Sequence, residues 1–146
     1  MTRFMQSALM EAEAAALRGE VPVGAVVVRK GEIIARAGNR TLERKDASAH
    51  AEMLAIRDAA RVLGNERLLD CDLYVTLEPC TMCAGAISLA RLRRLYFAAE
   101  DIKGGAVDNG VRFFSAPTCH HAPEIYSGIE ETRARELLKD FFKKRR

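Results

Sequence analysis

Tyr74-Val75-Thr76-Leu77-Glu78-Pro79-Cys80-Thr81-Met82-Cys83 decides the fold, read together with Ser48-Ala49-His50-Ala51-Glu52 upstream. Alternating Leu73, Val75 and Leu77 predict a buried strand. Pro79, with no N–H to leave unpaired, stands where a helix can begin. Cys80 and Cys83 then fall one helical turn apart, with both sulfurs on one face. The positive end of the helix dipole favours thiolate there, so the corner is ready for a metal ion. His50 and Glu52 are two residues apart and do not share a helix side. With Ser48 as the cap, both fall in the first turn of another helix and reach a point just beyond its axis. Two helix N-termini are therefore expected to converge on one zinc ion, held by His50, Cys80 and Cys83, with the fourth position left to water and Glu52 beside it.

The chain of 146 residues is long enough for a real core, and one domain over residues 1–146 is expected. An apolar content of 49% without low-complexity runs excludes a disordered chain. The net charge of +3 is too mild to establish a nucleic-acid partner by itself. Of four cysteines only Cys80 and Cys83 are closely spaced, which is no disulfide framework. A thiolate metal site fits a reducing compartment, so the cytoplasm is expected. Glu11 and Glu13 interrupt the apolar residues near the start, and no stretch approaches a membrane span, so neither export nor a membrane partner is expected.

Taken in order, Phe4, Ala8, Ala12 and Ala15 repeat at helical spacing up to Gly19. Val21 to Val28 is a continuous run rich in β-branched residues, hence a strand buried on both faces with Pro22 at its start. Arg29-Lys30-Gly31-Glu32 turns into residues 33–37 as a hairpin, and Gly38-Asn39-Arg40 leaves the sheet as a loop. A helix is predicted over residues 49–63 and another over 82–90, where small Ala84, Gly85 and Ala86 would let it lie close to the sheet. Residues 95–99 read as a strand, and residues 101–123 as a long functional loop with a short helical piece. A last strand over 124–129 and a helix over 130–142 follow. The alternation predicts an α/β fold, largely parallel after the first hairpin.

His-x-Glu alone arises by chance, and Cys-x-x-Cys alone fits a redox pair or half a structural zinc site; together they are specific. The alternative is a closed structural site completed by Cys71, Cys119, His120 or His121. Asn39, after a hairpin, reads first as a turn residue. Arg91, Arg93, Arg94 and the basic tail over residues 143–146 read as solvated faces, although Phe141 and Phe142 beside the tail are of the kind that grips single strands.

His-x-Glu followed by Pro-Cys-x-x-Cys is the signature of zinc deaminases. These motifs, with Val21-Pro22-Val23-Gly24-Ala25, Gly38-Asn39-Arg40 and Asp101-Ile102-Lys103-Gly104-Gly105-Ala106, resemble the cytidine/deoxycytidylate deaminase superfamily and, within it, the bacterial tRNA-specific adenosine deaminases. The resemblance runs over nearly the whole chain; it departs at His120-His121, where the family often has Asn-His, and between Gly110 and Cys119. It implies a three-layer α/β/α sandwich on a five-stranded mixed sheet, a homodimer, and conversion of the wobble adenosine of a tRNA anticodon stem-loop to inosine. By position it also implies that Asn39 contacts the target base and Ala51 offers backbone contacts near it. Glu52 would move a proton from water to the base and then to the leaving amine. The competing expectations are a zinc deaminase of a free base, nucleoside or nucleotide, and a non-catalytic, zinc-stabilised RNA-binding module.

Overall fold

Helix α1, Thr2–Leu17, opens the computed structural model, which describes residues 2–145. Met5, Ala8, Leu9, Ala12 and Ala15 form its buried stripe. The stripe lies on a hairpin of β1, Gly24–Arg29, and β2, Glu32–Gly38, in which Gly24 and Gly38 pair directly. A Cβ on Gly24 would collide with the Ala8 carbonyl oxygen, and one on Gly38 would come within 2.7 Å of the Glu11 carbonyl oxygen. Glycine at both positions is what lets helix and sheet touch. Lys30 and Gly31, with φ of 50° and 78°, make the tight turn between the strands.

The chain continues through a short helix α2 (Thr41–Arg44), α3 (Ala51–Leu63), β3 (Cys71–Leu77), α4 (Thr81–Leu89) and β4 (Arg94–Ala99). A 3₁₀ turn at Phe113–Ser115, β5 (Glu124–Ser127) and α5 (Glu131–Lys144) complete it. The five strands form one mixed sheet in the order β2-β1-β3-β4-β5; β1 is antiparallel to both neighbours, and β3, β4 and β5 run parallel. Successive residues of the central strands point to opposite faces. Val27, Leu73, Val75 and Phe97 pack with Leu54 and Ile87 from the α3 and α4 side. Val26, Val28, Tyr74 and Tyr96 pack with Met5, Leu9 and Ala134 from the α1 and α5 side. This is the expected three-layer α/β/α sandwich. Leu73, Ile87 and Phe97 are fully buried, each contributing roughly 1.5–3 kcal/mol.

On the α1 and α5 face, Tyr74, Tyr96 and Tyr126 stand side by side in register on β3, β4 and β5. Their rings stack at centroid separations of 4.2 and 5.0 Å, and Phe4 of α1 closes the column at 5.4 Å from Tyr74.

Several boundaries differ from expectation. β1 starts at Gly24, because Val21, Pro22 and Val23 make a tight turn in which Val23 N–H donates to the Val21 carbonyl at 2.8 Å. The α2 turn is absent from the sequence reading: four residues carry no periodic signal. β5 stops at Ser127, and α5 continues to Lys144. Gly85 does not bring α4 close to the sheet, since a Cβ there would meet open space; Ala84 is the buried small residue. No helix among the described residues is long and apolar enough to cross a membrane.

Candidate metal centre and active site

Both helices that point at the site begin on a candidate metal ligand. His50 is the N-cap of α3 and Cys80 the N-cap of α4, each with extended backbone. Ser48 is not the cap: its hydroxyl and its N–H both donate to Asp46 Oδ1, at 2.7 and 2.9 Å. This local turn competes for the side chain the helix would otherwise use. α3 therefore starts at Ala51 rather than Ala49, which puts His50 just off its end and Glu52 in its first turn. Pro79 likewise precedes the cap of α4 instead of opening the helix, and α4 runs over Thr81–Leu89. The free N–H of Ala51 is served from outside, by Asn39 Oδ1 at 2.8 Å, while Asn39 Nδ2 donates to the Val21 carbonyl at 3.2 Å.

His50 Nδ1 lies 3.6 Å from Cys80 Sγ and 3.5 Å from Cys83 Sγ, and the three donor atoms all fall within 4.8 Å of one another. A tetrahedral zinc with ordinary Zn–N and Zn–S bonds sets N and S about 3.6 Å apart, so the trio fits that ion without rearrangement. Among the described residues no further His, Cys, Asp or Glu joins the group. Three of the four candidates for a closing ligand are occupied elsewhere, and the fourth, His120, is exposed and lies outside the group. Cys71 is buried at the start of β3 with its thiol on the Leu69 carbonyl, and Cys119 donates to the His121 carbonyl at 3.1 Å. His121 Nε2 is 2.7 Å from the Leu92 carbonyl oxygen. None of the four cysteines is in a disulfide.

The protein groups tune one another. The Cys80 thiol is pulled down to about 4 by a hydrogen bond from the Cys83 side chain, with His50 adding to the effect against the cost of burial. The same hydrogen bond, together with burial, holds the Cys83 thiol well above its usual range. His50 is raised, chiefly by its contact with the Cys80 side chain. Glu52, 4% exposed, is pushed up to about 7 by burial, which a hydrogen bond to its own backbone N–H and the nearby imidazole only partly offset. A carboxyl tuned near neutrality, next to a metal-binding trio, is suited to carry protons in either direction.

Sequence reasoning passed over Glu20 and Glu78, both buried to within 2% of full burial. Glu20 accepts the N–H groups of Leu42 and Glu43 at 3.1 and 2.8 Å, so it caps α2 from a distant turn and fixes the loop that carries Asn39 to His50. The one local hint is the acidic residue itself, set between Gly19 and an apolar run. The basic clusters divide. Arg93 makes a two-pronged pair with Asp72 at 3.0 and 2.9 Å, and Arg94 pairs with Glu124 at 3.5 Å. Arg145 stacks over Phe141 at 4.3 Å and donates to the Gly19 carbonyl, while Arg146 lies outside the described residues. A groove of 770 Å³ runs between α5 and the loop after β4, lined by Val21, Leu77, Lys103, Arg135, Phe142 and Arg145 among others.

The family model for the cytidine and deoxycytidylate deaminase zinc-binding region matches residues 1–99. The chain is 61% identical over 145 residues to the tRNA-specific adenosine deaminase of Agrobacterium fabrum, covering 99% of this chain and 95% of that protein. It is 49% identical to that of Aquifex aeolicus, covering 98% and 94%. A solved structure from studies of A-to-I editing by tRNA deaminases at the wobble position of transfer RNA superposes with a TM-score of 0.93 at 62% identity, covering 94% of this chain and all of that one. A guanine deaminase from Nitrosomonas europaea superposes with a TM-score of 0.84 at 25% identity, covering 96% and 83%. The metal trio, the sheet order and these matches agree, and the chain belongs to the cytidine and deoxycytidylate deaminase family, within its tRNA-specific adenosine deaminase group.

Proposed function

We propose that the protein is a zinc-dependent hydrolase that converts the wobble adenosine of a tRNA anticodon to inosine. The observation that carries this reading is the buried Glu52 carboxyl beside the His50, Cys80 and Cys83 trio, in a chain 61% identical to a tRNA-specific adenosine deaminase. His50, Cys80 and Cys83 hold the ion. A bound zinc supplies acidity that brings water close to ionisation near neutral pH. Glu52 accepts a proton from the attacking water and passes it to N1 of adenine, drawing electrons from C6. The water oxygen adds at C6; Glu52 then moves the second proton to the amine, and the C6–N bond breaks. Adenosine and water become inosine and ammonia, with every proton accounted for at Glu52.

Asn39 and Ala51 border the target base. The 2.8 Å bond between them is what a base hydrogen-bonding at this point shares or exchanges. A paired base cannot reach a recessed carboxyl, so the substrate base is unpaired or turned out of its stack, as an anticodon loop allows. Lys103, Arg135 and Arg145 along the groove meet the phosphates of the anticodon stem-loop, and affinity falls as salt rises. The whole of residues 1–146 acts as one deaminase domain in the cytoplasm, where thiolate ligands stay reduced. A second copy of this chain pairs over the exposed Leu89 and the open space at Gly85, forming a homodimer.

Incubation with an anticodon stem-loop bearing a wobble adenosine, followed by nucleoside analysis, is expected to yield inosine. Ammonia release from free purines or cytosine compounds, with the stem-loop untouched, would replace this reading with a small-molecule deaminase. No deamination of any of these would leave a zinc-stabilised RNA-binding module.

A further inference from the structure

We infer that Glu78 is a positioning residue that fixes one wall of the substrate groove. Its side chain is 2% exposed, and all of its hydrogen bonds come from N–H groups of a single loop, none from Lys or Arg. Oε2 accepts the backbone N–H groups of Val107, Asp108 and Asn109 at 3.0, 2.9 and 3.1 Å. Oε1 accepts Asp101 N–H at 2.9 Å and the Asn109 side-chain amide at 2.7 Å. A carboxylate that gathers five donors converts a span of irregular chain into a ring closed on one point.

The ring is fitted closely to that point. A Cβ on Gly105 would collide with the Glu78 carboxyl carbon and come within 2.6 Å of Oε2, so the loop folds over the carboxylate only with glycine there. Ala106 N–H donates to the Pro79 carbonyl at 2.9 Å, and Gly105 N–H to the Asp101 carbonyl at 2.9 Å. The other side of the ring faces the groove: Asp101, Ile102 and Lys103 line it with Val21, whose carbonyl anchors the Asn39 amide. One dipeptide, Glu78-Pro79, therefore follows the end of β3, leads into Cys80 at the start of α4 and ties down Asp101 on the groove wall. Through Asp101 this carboxylate links the groove wall to the segment that carries Cys80.

This inference rests on the RNA reading above. Glu78→Gln keeps the shape but turns an NH₂ toward donors on one side, so either the three-donor or the two-donor set is lost. With the zinc-loaded enzyme and the anticodon stem-loop, the variant is expected to raise KM about tenfold while changing kcat by less than about threefold. Zinc content is unchanged, and amide exchange accelerates at residues 107–109. Asn109→Ala removes only the side-chain donor and raises KM about threefold; it carries the test if Glu78→Gln does not fold. An unchanged KM in the variant that folds overturns the inference, as does loss of zinc and kcat together, which would mark Glu78 as a support for Cys80 alone. Failure of the RNA reading is seen separately, in the unsubstituted protein, as absence of inosine.

Discussion

The starts of α3 and α4 place their candidate metal ligands by different means. Cys80 follows directly from a buried strand, so the sheet holds it: β3 is paired on both sides and Pro79 stiffens the exit. His50 follows a loop, and its place depends on side chains far away in sequence, with Asn39 bonded to Ala51 N–H and Glu20 holding the loop between them. A ligand leaving a strand inherits the order of the sheet, whereas a ligand leaving a loop needs buried polar groups to supply it. The α3 start should accordingly respond to substitutions remote from the metal, and the α4 start should not.

The largest effect expected is common to both sides. His50→Ala and Cys80→Ala each remove a ligand, and metal analysis should find zinc lost with all turnover; a variant that retained its ion would break the assigned trio. Glu52→Ala separates holding the ion from using it. Zinc content should be unchanged and kcat lowered by about 10²- to 10⁴-fold, so retained activity would remove Glu52 from the mechanism. The comparison itself is sharpened by Asn39→Ala, which strands the Ala51 N–H and the Val21 carbonyl and should lower unfolding stability by about 1–3 kcal/mol. Thr81→Ala, at an exposed position on the first turn of α4, should stay within about 0.5 kcal/mol of the parent. Equal losses at the two would erase the distinction.

The smallest effect concerns pH. Burial by itself would raise the Glu20 carboxyl, but the Glu43 and Leu42 N–H groups and the Thr41 hydroxyl bring it below 4.5. A carboxyl lowered on folding adds stability that is complete above its unfolded value and is lost as pH falls through the folded one. Glu20→Gln should therefore be less stable than the parent at neutral pH, with the gap closing below about 4.5 in acid unfolding curves. A gap that widened in acid would contradict the capping role.

Much of this was readable from residues alone. An unbroken apolar run is unambiguous when both faces of a sheet are covered, as at Val26, Val27 and Val28, and the ligand spacing in Cys80 and Cys83 is a local helical fact. The bonds made by Asn39, Glu20 and Glu78 were not readable. Each joins a side chain to backbone N–H groups between 12 and 31 positions away, and a backbone donor has no letter in the sequence. Ser48 reads as the cap for a related reason: a serine satisfies Asp46 as readily as a helix end, and only the fold decides between them.

The column of tyrosines has a practical corollary. The chain has no tryptophan and three tyrosines, and all three belong to that column. Its near-ultraviolet optical signal therefore originates largely in one column, which runs from the central strand out to the final one. Fluorescence or circular dichroism in that band would register detachment of this margin while saying little about the opposite end of the molecule.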